Sequence, residues 1–416
     1  MKKVFLFLLI LILLFGGYLF CNYMFGNKIP VLDIEESVAI VDELIVYGTH
    51  LNLHGNIDNN ADLDLVLYNG EFIAENINID NGEFYLSDKI NEGIYLEDIP
   101  RGDYYLFLRE KVTSEKNKDT YKYYSISNST KYKETKYFTS RSLNNMIVIN
   151  SEESYPTMMI HVSENKNSNI YDIVIDPGHG GMDSGSNKNG YKESDMTLKI
   201  ANKLRKKLED DGFKVKLTHE TGDLTTNEVL DEYGKHGRAV IPYEVHAKYV
   251  LSIHMNSNKS PNVNGLEVYT AENINYDLAK LLVKNITEKT GIKYSGNQIN
   301  KIDNSIYTRN FTETDIAEAK KEKESKNLVP YDITTKSNYY YMIRETGGIM
   351  TGAYVDDRNS SISANPYIDS NVGSETYLLE LGYLSNRSDL DNMLNKMDLY
   401  VEAMAISLES QFKTNE

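Results

Sequence analysis

The chain has 416 residues, with 61 acidic against 44 basic residues and a net charge of −17. This length exceeds that of one compact domain, and the acidic balance argues against a nucleic-acid partner, which would require basic patches. The single cysteine, Cys21, excludes an intrachain disulfide and a cysteine-based zinc site, so any metal must be held by His, Asp or Glu.

The first predicted element is an apolar helix near the N-terminus. Lys2 and Lys3 precede an uncharged apolar run from Val4 to about Phe25, which is long enough to cross a hydrocarbon core of roughly 30 Å. The alternative, a cleaved signal peptide, normally has a shorter apolar run followed by an A-x-A-like site. We therefore expect residues 1–27 to be an uncleaved transmembrane signal-anchor. The two lysines would place the rest of this single-pass membrane protein outside the cytoplasm.

Residues 30–165 are predicted to form an all-β unit. Stretches such as "ELIVYGTHLNLHGNI" alternate with period two, and hairpin turn signals stand at Asn69-Gly70 and Asn81-Gly82. Few stretches in this part of the chain have helical periodicity. An immunoglobulin-like or similar β-sandwich is the expected fold, and the sequence does not identify its partner.

Strands and helices alternate over residues 170–414. The strands "YDIVID", "FKVKLT", "YVLSI", "GLEVYT" and "TYLLEL" are separated by helical stretches, and a long helix closes the chain. This alternation predicts a largely parallel sheet covered by helices on both faces. Residues 296–336 add a charged, helical insert. It is either a solvated surface helix or a lid over the site, with Glu313 or Asp315 near a metal.

Four polar residues stand where this fold class usually binds ligands, at or near the carboxyl ends of strands. His179 follows "YDIVID", His254 ends "YVLSI", Glu380 lies in "TYLLELGYLSN", and Glu193 precedes a helix. Two imidazoles and a carboxylate are the ligands of many catalytic zinc sites, and a second carboxylate could act as general base. Alternatives remain open: turn or core histidines, a capping glutamate, and glycines of "PGHGG" that cradle a phosphate.

The motifs "IVIDPGHGGMDSG", "ESDMTLKIANKLRKKLEDDGFKVKLT", "SIHMNS" and "LLELGYLSN" follow one another between residues 170 and 412. Together they resemble the zinc-dependent N-acetylmuramoyl-L-alanine amidases that cut bacterial peptidoglycan. The resemblance implies that His179, Glu193 and His254 bind one Zn²⁺ ion and that Glu380 is the catalytic carboxylate. It also implies hydrolysis of the amide bond between N-acetylmuramic acid and L-alanine of the stem peptide.

Two further residues are candidates with open alternatives. Arg344 lies in "NYYYMIRETGG", which resembles the family's strand that ends in arginine; it would bind the acidic stem peptide or form a structural salt bridge. Asp176 would support a ligand histidine or form a strand-end turn. The alternative function is a catalytically silent, amidase-like cell-wall binding or regulatory protein. The presence of all four chemical residues favours the enzyme.

Overall fold

The computed structural model describes residues 34–58, 62–69, 72–80, 82–112, 120–129, 132–141, 143–151, 157–222, 237–325, 333–353 and 370–413. The predicted signal-anchor of residues 1–27 lies outside these ranges. Within them, no helix is both long enough and apolar enough to cross a membrane.

The first part of the described chain, here called the β unit, contains only strands between residues 34 and 164. Burial alternates along its strands, as in Asn145–Asn150, where every second side chain is buried. The strands are β1 (Ile34–Tyr47), β2 (His50–Ile57), β3 (Leu63–Tyr68), β4 (Phe72–Asn76), β5 (Asn78–Asp80), β6 (Glu83–Tyr85), β7 (Ile94–Tyr95), β8 (Gly102–Val112), β9 (Thr120–Asn128), β10 (Glu134–Phe138), β11 (Asn145–Asn150) and β12 (Met159–Glu164).

Hydrogen bonds join the twelve strands of the β unit in one sheet, and β21 of the later part of the chain (Val372–Gly373) adds a thirteenth strand to it. The strands on either side of each predicted hairpin signal pair antiparallel, β3 with β4 and β5 with β6; Gly70 and Asn81 of the signals lie outside the described residues. The described elements agree with an all-β unit. They do not divide it into the two separate sheets of a sandwich, because the hydrogen-bonded ladder is continuous.

The remainder of the described chain, here called the α/β unit, alternates strands with helices. Its strands are β13 (Ile173–Pro177), β14 (Asn187–Lys188), β15 (Tyr191–Lys192), β16 (Val215–Leu217), β17 (Tyr249–Asn256), β18 (Glu267–Thr270), β19 (Lys301–Asp303), β20 (Ile306–Thr308), β21 (Val372–Gly373) and β22 (Glu375–Tyr383). Its helices are α1 (Glu193–Asp210), α2 (Ile241–Glu244), α3 (Asp277–Thr290), α4 (Glu313–Ser325), α5 (Tyr341–Thr346) and α6 (Arg387–Lys413).

The sheet of the α/β unit has seven strands in the order β16-β13-β17-β22-β18-β20-β19. The first four strands are mutually parallel, whereas β18 runs antiparallel to β22. The prediction of a mostly parallel sheet is therefore confirmed. The last strand of the chain, β22, lies between β17 and β18, a position that strand order along the sequence does not reveal.

Helices cover both faces of this sheet. Ile173 and Ile175 of β13 pack in one apolar cluster with α1, α3 and α6. Val174 and Val250 point to the opposite face, where a smaller cluster includes Met342 of α5. Because side chains alternate along a strand, His254 of β17 also lies on this second face, away from the three long helices.

The two units share a buried boundary. Strand β21 pairs in parallel with β1, and the amide of Val46 donates to the carbonyl of Asn371 at 2.8 Å. The side chain of Asn91 in the β unit donates to the buried carboxylate of Glu375 at 3.1 Å. Tyr47 of β1 belongs to the apolar core of the α/β unit. The β unit therefore packs directly against the domain that carries the candidate site.

One local prediction is wrong. The segment around Arg344 was expected to be a strand, but Tyr341–Thr346 forms a short helix. The run "YYYM" is rich in aromatic residues, which favour strands in isolation, yet packing against β22 decides the conformation here.

Candidate metal site

His179 projects from a constrained turn at the end of β13. Its φ angle is 67°, in the left-handed region that residues other than glycine rarely adopt. Its Nδ1 atom lies 2.7 Å from Oδ2 of Asp183, whose Oδ1 accepts a hydrogen bond from the Gly185 amide at 2.9 Å. Asp183 therefore fixes both the turn and the imidazole ring, leaving Nε2 directed at the site.

Two glycines make room for the neighbouring side chains. A Cβ atom on Gly178 would lie 2.3 Å from Cε1 of His254, and one on Gly185 would lie 2.5 Å from Cδ2 of His179 and 2.7 Å from Oε2 of Glu193. These separations are shorter than any van der Waals contact. The glycine-rich turn is therefore required by the close approach of the three side chains.

Glu193 is the first residue of α1 and is buried. Its Oε2 accepts a hydrogen bond from the Ser186 amide at 2.9 Å, and its Oε1 accepts one from the Met255 amide at 3.0 Å. The two main-chain donors hold the carboxylate in one orientation, while the position at a helix N-terminus stabilises its negative charge.

The three predicted ligands converge. Oε1 of Glu193 lies 3.0 Å from Nε2 of His179 and 3.2 Å from Nδ1 of His254. The two nitrogens are themselves 3.2 Å apart. Atoms about 2.0–2.1 Å from a tetrahedral metal ion are about 3.3 Å from each other, so this triangle fits a single ion of that size. Among the described residues, these three are the group of His, Cys, Asp and Glu side chains that could hold a metal.

The electrostatics of the cluster favour a bound cation. Burial lowers the pKa of His179, but the hydrogen bonds and charges of Glu193 and Asp183 outweigh burial and raise this pKa to about 9. Burial raises the pKa of Glu193, yet hydrogen bonds from His179 and His254 hold it well below its usual value. The ionised carboxylates therefore stabilise positive charge between the two imidazole rings.

Glu380 lies beside this cluster because β22 runs next to β17, with Glu380 opposite His254 in the register. Both residues line one cavity of about 500 Å³ together with His179 and Glu193. The Oε2 atom of Glu380 is buried and has no hydrogen-bond partner among the described residues. Burial, followed by the charges of Glu193 and Glu267, raises the pKa of Glu380 well above its usual value. A carboxylate in this environment is suited to accept and release a proton.

Sequence reasoning missed Glu267, which stands opposite Glu380 on β18. Its carboxylate accepts hydrogen bonds from four side chains at 2.6–3.1 Å, those of Asn256, Tyr269, Ser295 and Tyr383. The available signal was a glutamate inside the apolar stretch "GLEVYT". Asp183 was missed as well, although its position four residues after His179 places it within reach of the ring.

Asp176 supports the histidine turn indirectly. Its carboxylate accepts hydrogen bonds from Ser252 and Thr218, each at 2.7 Å, and pairs with Arg238 at 3.4 Å. Arg238 in turn donates to the carbonyl of His179 at 3.3 Å. Asp176 thus acts on the main chain of the turn, and Asp183 is the carboxylate that contacts a ligand imidazole.

Arg344 borders the site cavity but is occupied by other groups. Its Nε donates to Glu345 at 2.9 Å, and its Nη1 donates to the carbonyls of Asn338 and Tyr339 at 2.8 and 3.0 Å. Only 3% of Arg344 is exposed. These contacts are those expected of the structural salt bridge, so a role in substrate binding stays a prediction.

The insert contains a surface helix, and residues on either side of this helix line the site cavity. Helix α4 exposes most of its side chains, and Asp315 accepts a hydrogen bond from Thr312 at 2.8 Å and pairs with Arg309 at 3.5 Å. Phe311 and Ile333, on either side of the helix, line the site cavity. Neither Glu313 nor Asp315 belongs to the metal-binding group of the described residues. A lid function for the insert stays a prediction.

Comparison with known proteins identifies the class to which this fold and site belong. The sequence profile described as N-acetylmuramoyl-L-alanine amidase matches residues 173–409, more than half of the chain. The chain belongs to this family. The match covers the α/β unit and does not extend to the β unit.

Individual relatives agree over shorter stretches. The probable cell wall amidase LytH of Staphylococcus saprophyticus is 35% identical over 127 residues, and that of Staphylococcus aureus is 37% identical over 120 residues. These matches span 30% and 28% of this chain and only 39% and 37% of the relatives.

Solved amidase structures are more distant. AmiC2 of Nostoc punctiforme (23% identity) and the catalytic domain of CwlV of Bacillus (Paenibacillus) polymyxa (19%) give TM-scores of 0.36 and 0.38. Each comparison covers 59% of this chain and 99% of the other. The family assignment therefore rests on the sequence match.

Proposed function

We propose that this protein is a zinc-dependent peptidoglycan amidase. It would hydrolyse the amide bond between the lactyl group of N-acetylmuramic acid and L-alanine of the stem peptide. The observation that carries the proposal is the triangle of His179 Nε2, Glu193 Oε1 and His254 Nδ1, with sides of 3.0–3.2 Å, in the cavity that Glu380 lines.

The donor set fits a catalytic zinc ion. His179, Glu193 and His254 supply three protein ligands, and a structural zinc site would be closed by a fourth. A zinc ion held there would lower the pKa of a water molecule toward about 7 and polarise the scissile carbonyl. The only cysteine of the chain, Cys21, lies outside the described residues.

Glu380 is the proposed general base and acid. Glu380 lines the cavity, and its buried Oε2 has no hydrogen-bond partner among the described residues, so this oxygen can accept a proton from the attacking water. The raised pKa allows the same oxygen to keep that proton until the alanine nitrogen leaves and accepts it. Glu267, held by four hydrogen bonds, adds negative charge that favours the protonated form of Glu380.

The test compares the full-length wild type with Glu380→Gln and His254→Ala. We would measure zinc per chain by elemental analysis and the release of peptides with a free N-terminal L-alanine from purified peptidoglycan. The expected result is about one zinc and peptide release for the wild type. Glu380→Gln should retain zinc and lose about 10²–10⁴-fold in rate, and His254→Ala should lose zinc.

Two outcomes would overturn the proposal. Peptide release that persists in Glu380→Gln would remove the assigned base. A wild type that holds zinc but releases no peptide would point instead to a silent amidase-like protein that binds the wall.

We also propose that residues 1–27 anchor the protein in the cell membrane, with the amidase domain outside the cytoplasm. The uncharged run of residues 4–25 after two lysines supports this. Intact protoplasts treated with protease should lose the α/β unit while the membrane fraction retains an N-terminal tag. Recovery of the untreated protein in the soluble fraction would contradict the proposal.

A further inference from the structure

A second cavity adjoins the metal site and is assigned no role by the proposed mechanism. It has a volume of about 710 Å³ and is bordered by Asn256, Asn258, Asn262, Asn264, Tyr294 and Asn297. We call it the asparagine cleft. Asn256 also lines the site cavity, and it lies two residues after the ligand His254 on β17, so the two cavities are neighbours along one strand.

The lining of the asparagine cleft consists mainly of uncharged side chains that can form hydrogen bonds. Amide side chains provide both donors and acceptors, and Asn262 makes no side-chain hydrogen bond to any other described residue. Nδ2 of Asn258 and Nδ2 of Asn297 are likewise unused within the described chain, where only their oxygens accept main-chain amides. A ligand that carries hydroxyl and amide groups could therefore bind all of these atoms.

Glu267 is the one charged side chain among the described residues that line the cleft, and its carboxylate is already engaged. Glu267 is 1% exposed, and the four hydrogen bonds described above use both of its carboxylate oxygens. No lysine or arginine is among the residues that line the cleft in the described part of the chain. The cleft therefore does not suit the carboxylates of a stem peptide, because these would lose hydration without gaining a cationic partner.

Tyr294 adds an aromatic surface to the cleft. Its side chain is 51% exposed, so the ring is accessible to a ligand. A tyrosine ring offers an apolar face together with a polar hydroxyl. Such a face suits the C–H surface of a sugar ring, while the neighbouring amides suit its hydroxyl and acetamido groups.

The loop that carries most of the asparagines is held in place before any ligand binds. Asn386 donates to the carbonyl of Pro261 at 2.7 Å, and Asp389 accepts from the amide of Gly265 at 2.8 Å. Asn386 directly precedes helix α6, and Asp389 lies in the first turn of that helix. A loop ordered in this way loses little conformational entropy when a ligand binds.

We propose that the asparagine cleft binds the glycan arm of the substrate, a neutral strand of N-acetylated hexosamines. This inference rests on the proposed function, because the scissile amide joins such a glycan to an acidic peptide. With the amide beside Glu380, the glycan would extend past Asn256 into the cleft. The peptide would then lie on the other side of Asn256, in the site cavity.

The test uses Asn262→Ala/Tyr294→Ala in the full-length, zinc-loaded protein. Neither side chain makes a hydrogen bond to another described residue, so the double variant should fold. Asn304→Ala is the matched control, since Asn304 is exposed on the nearby β19–β20 turn but does not line the cleft. Folding of all three proteins is compared by their thermal unfolding midpoints.

The first measurement is calorimetric binding of the N-acetylglucosamine hexamer, which contains no scissile amide and so reports on the cleft without turnover. Wild type and Asn304→Ala should bind the hexamer, and the double variant should bind it at least tenfold more weakly. Cellohexaose, which has hydroxyls in place of the acetamido groups, should bind more weakly to the wild type. If the wild type does not bind the hexamer, or if the double variant binds it equally well, the inference is overturned. The exposed Tyr294 would then be attributed to contact with a partner protein.

The second measurement compares two substrates: uncross-linked glycan strands bearing stem peptides, and N-acetylmuramic acid carrying one peptide. The double variant should raise KM for glycan strands at least tenfold more than for the monosaccharide substrate. Equal effects on the two substrates would overturn the inference. If the wild type binds the hexamer yet cuts neither substrate, the proposed function fails while saccharide binding by the cleft stands.

Discussion

Asp183 should control metal affinity without touching the metal. Its Oδ2 lies 2.7 Å from Nδ1 of His179, which requires a proton on Nδ1 and leaves Nε2 unprotonated for a metal. Replacement of Asp183 by alanine removes this acceptor and also the Oδ1 that holds the Gly185 amide at 2.9 Å. Carboxylates in this position typically contribute 10–100-fold to metal affinity, which corresponds to about 1.4–2.8 kcal/mol.

Asp183→Asn separates the effect on the ring from the effect on the turn. With Oδ1 still accepting from Gly185, the amide NH₂ group faces Nδ1 and favours the tautomer with the proton on Nε2. If the amide flips, Nδ1 regains its acceptor but the Gly185 hydrogen bond is lost. In either orientation one of the two contacts fails, so the asparagine variant should also bind zinc more weakly, by about tenfold or more.

The assay is competition for zinc against a fluorescent chelator, run on wild type, Asp183→Ala, Asp183→Asn and Asp195→Ala. Asp195 is an exposed carboxylate in the first turn of α1 and serves as the control for loss of one negative charge near the site. A wild-type dissociation constant in both Asp183 variants would refute the assignment of Asp183 as the residue that orients His179. An equal loss of zinc affinity in Asp195→Ala would mean that the effect comes only from the removal of one negative charge near the site.

Three further predictions concern the space around the His254 ring, the stabilisation of the fold by zinc, and the pH dependence of stability. Gly178→Ala should lower activity by about 100-fold, because its Cβ would lie 2.3–2.6 Å from the His254 ring and displace it. Gly222→Ala should not, because among the described residues its Cβ would meet only Leu198, at 4.0 Å. Equal activities of the two variants would contradict the steric argument. Zinc at 100 times its dissociation constant should stabilise the wild type by about 2.7 kcal/mol in thermal unfolding, and a similar shift in His254→Ala would place the metal elsewhere. Burial raises the pKa of Glu375 from 4.5 to about 7, so the folded state holds a proton that the unfolded state has released between these pH values, and stability falls as pH rises through this window. The loss of stability should reach about 3 kcal/mol, at about 1.4 kcal/mol per pH unit. Urea unfolding at pH 5 and pH 8 measures the free energy of unfolding, and its change between the two pH values should be smaller in Glu375→Gln than in the wild type. An equal change in both proteins would mean that Glu375 does not cause the loss.

Local pattern indicated the type of most elements, but it did not indicate how distant strands pair. Alternating residues indicated the strands that carry His179, His254 and Glu380, and the change to helical periodicity after Glu193 indicated α1. The prediction of a strand around Arg344 was wrong, because a six-residue segment is too short for local pattern to outweigh tertiary packing. The strands that flank the two hairpin signals pair antiparallel as predicted, because turn chemistry is local.

The candidate site shows the same division. Residue type and motif order singled out His179, Glu193, His254 and Glu380, since few side chains can hold a metal or move a proton. The partners that orient them were not apparent. Asp183 was obscured among turn-forming residues, and the four hydrogen bonds to Glu267 come from segments between residues 256 and 383.

The amino-acid sequence by itself determined which residues have the chemistry and which family the α/β unit belongs to. These properties depend on residue identity and on contacts between near neighbours along the chain. Only the tertiary structure decided that β22 inserts between β17 and β18, which places Glu380 opposite both His254 and Glu267. It also decided that the asparagine cleft adjoins the metal site. Strand order in a sheet is set by long-range packing of side chains on both faces, and local sequence does not encode that packing.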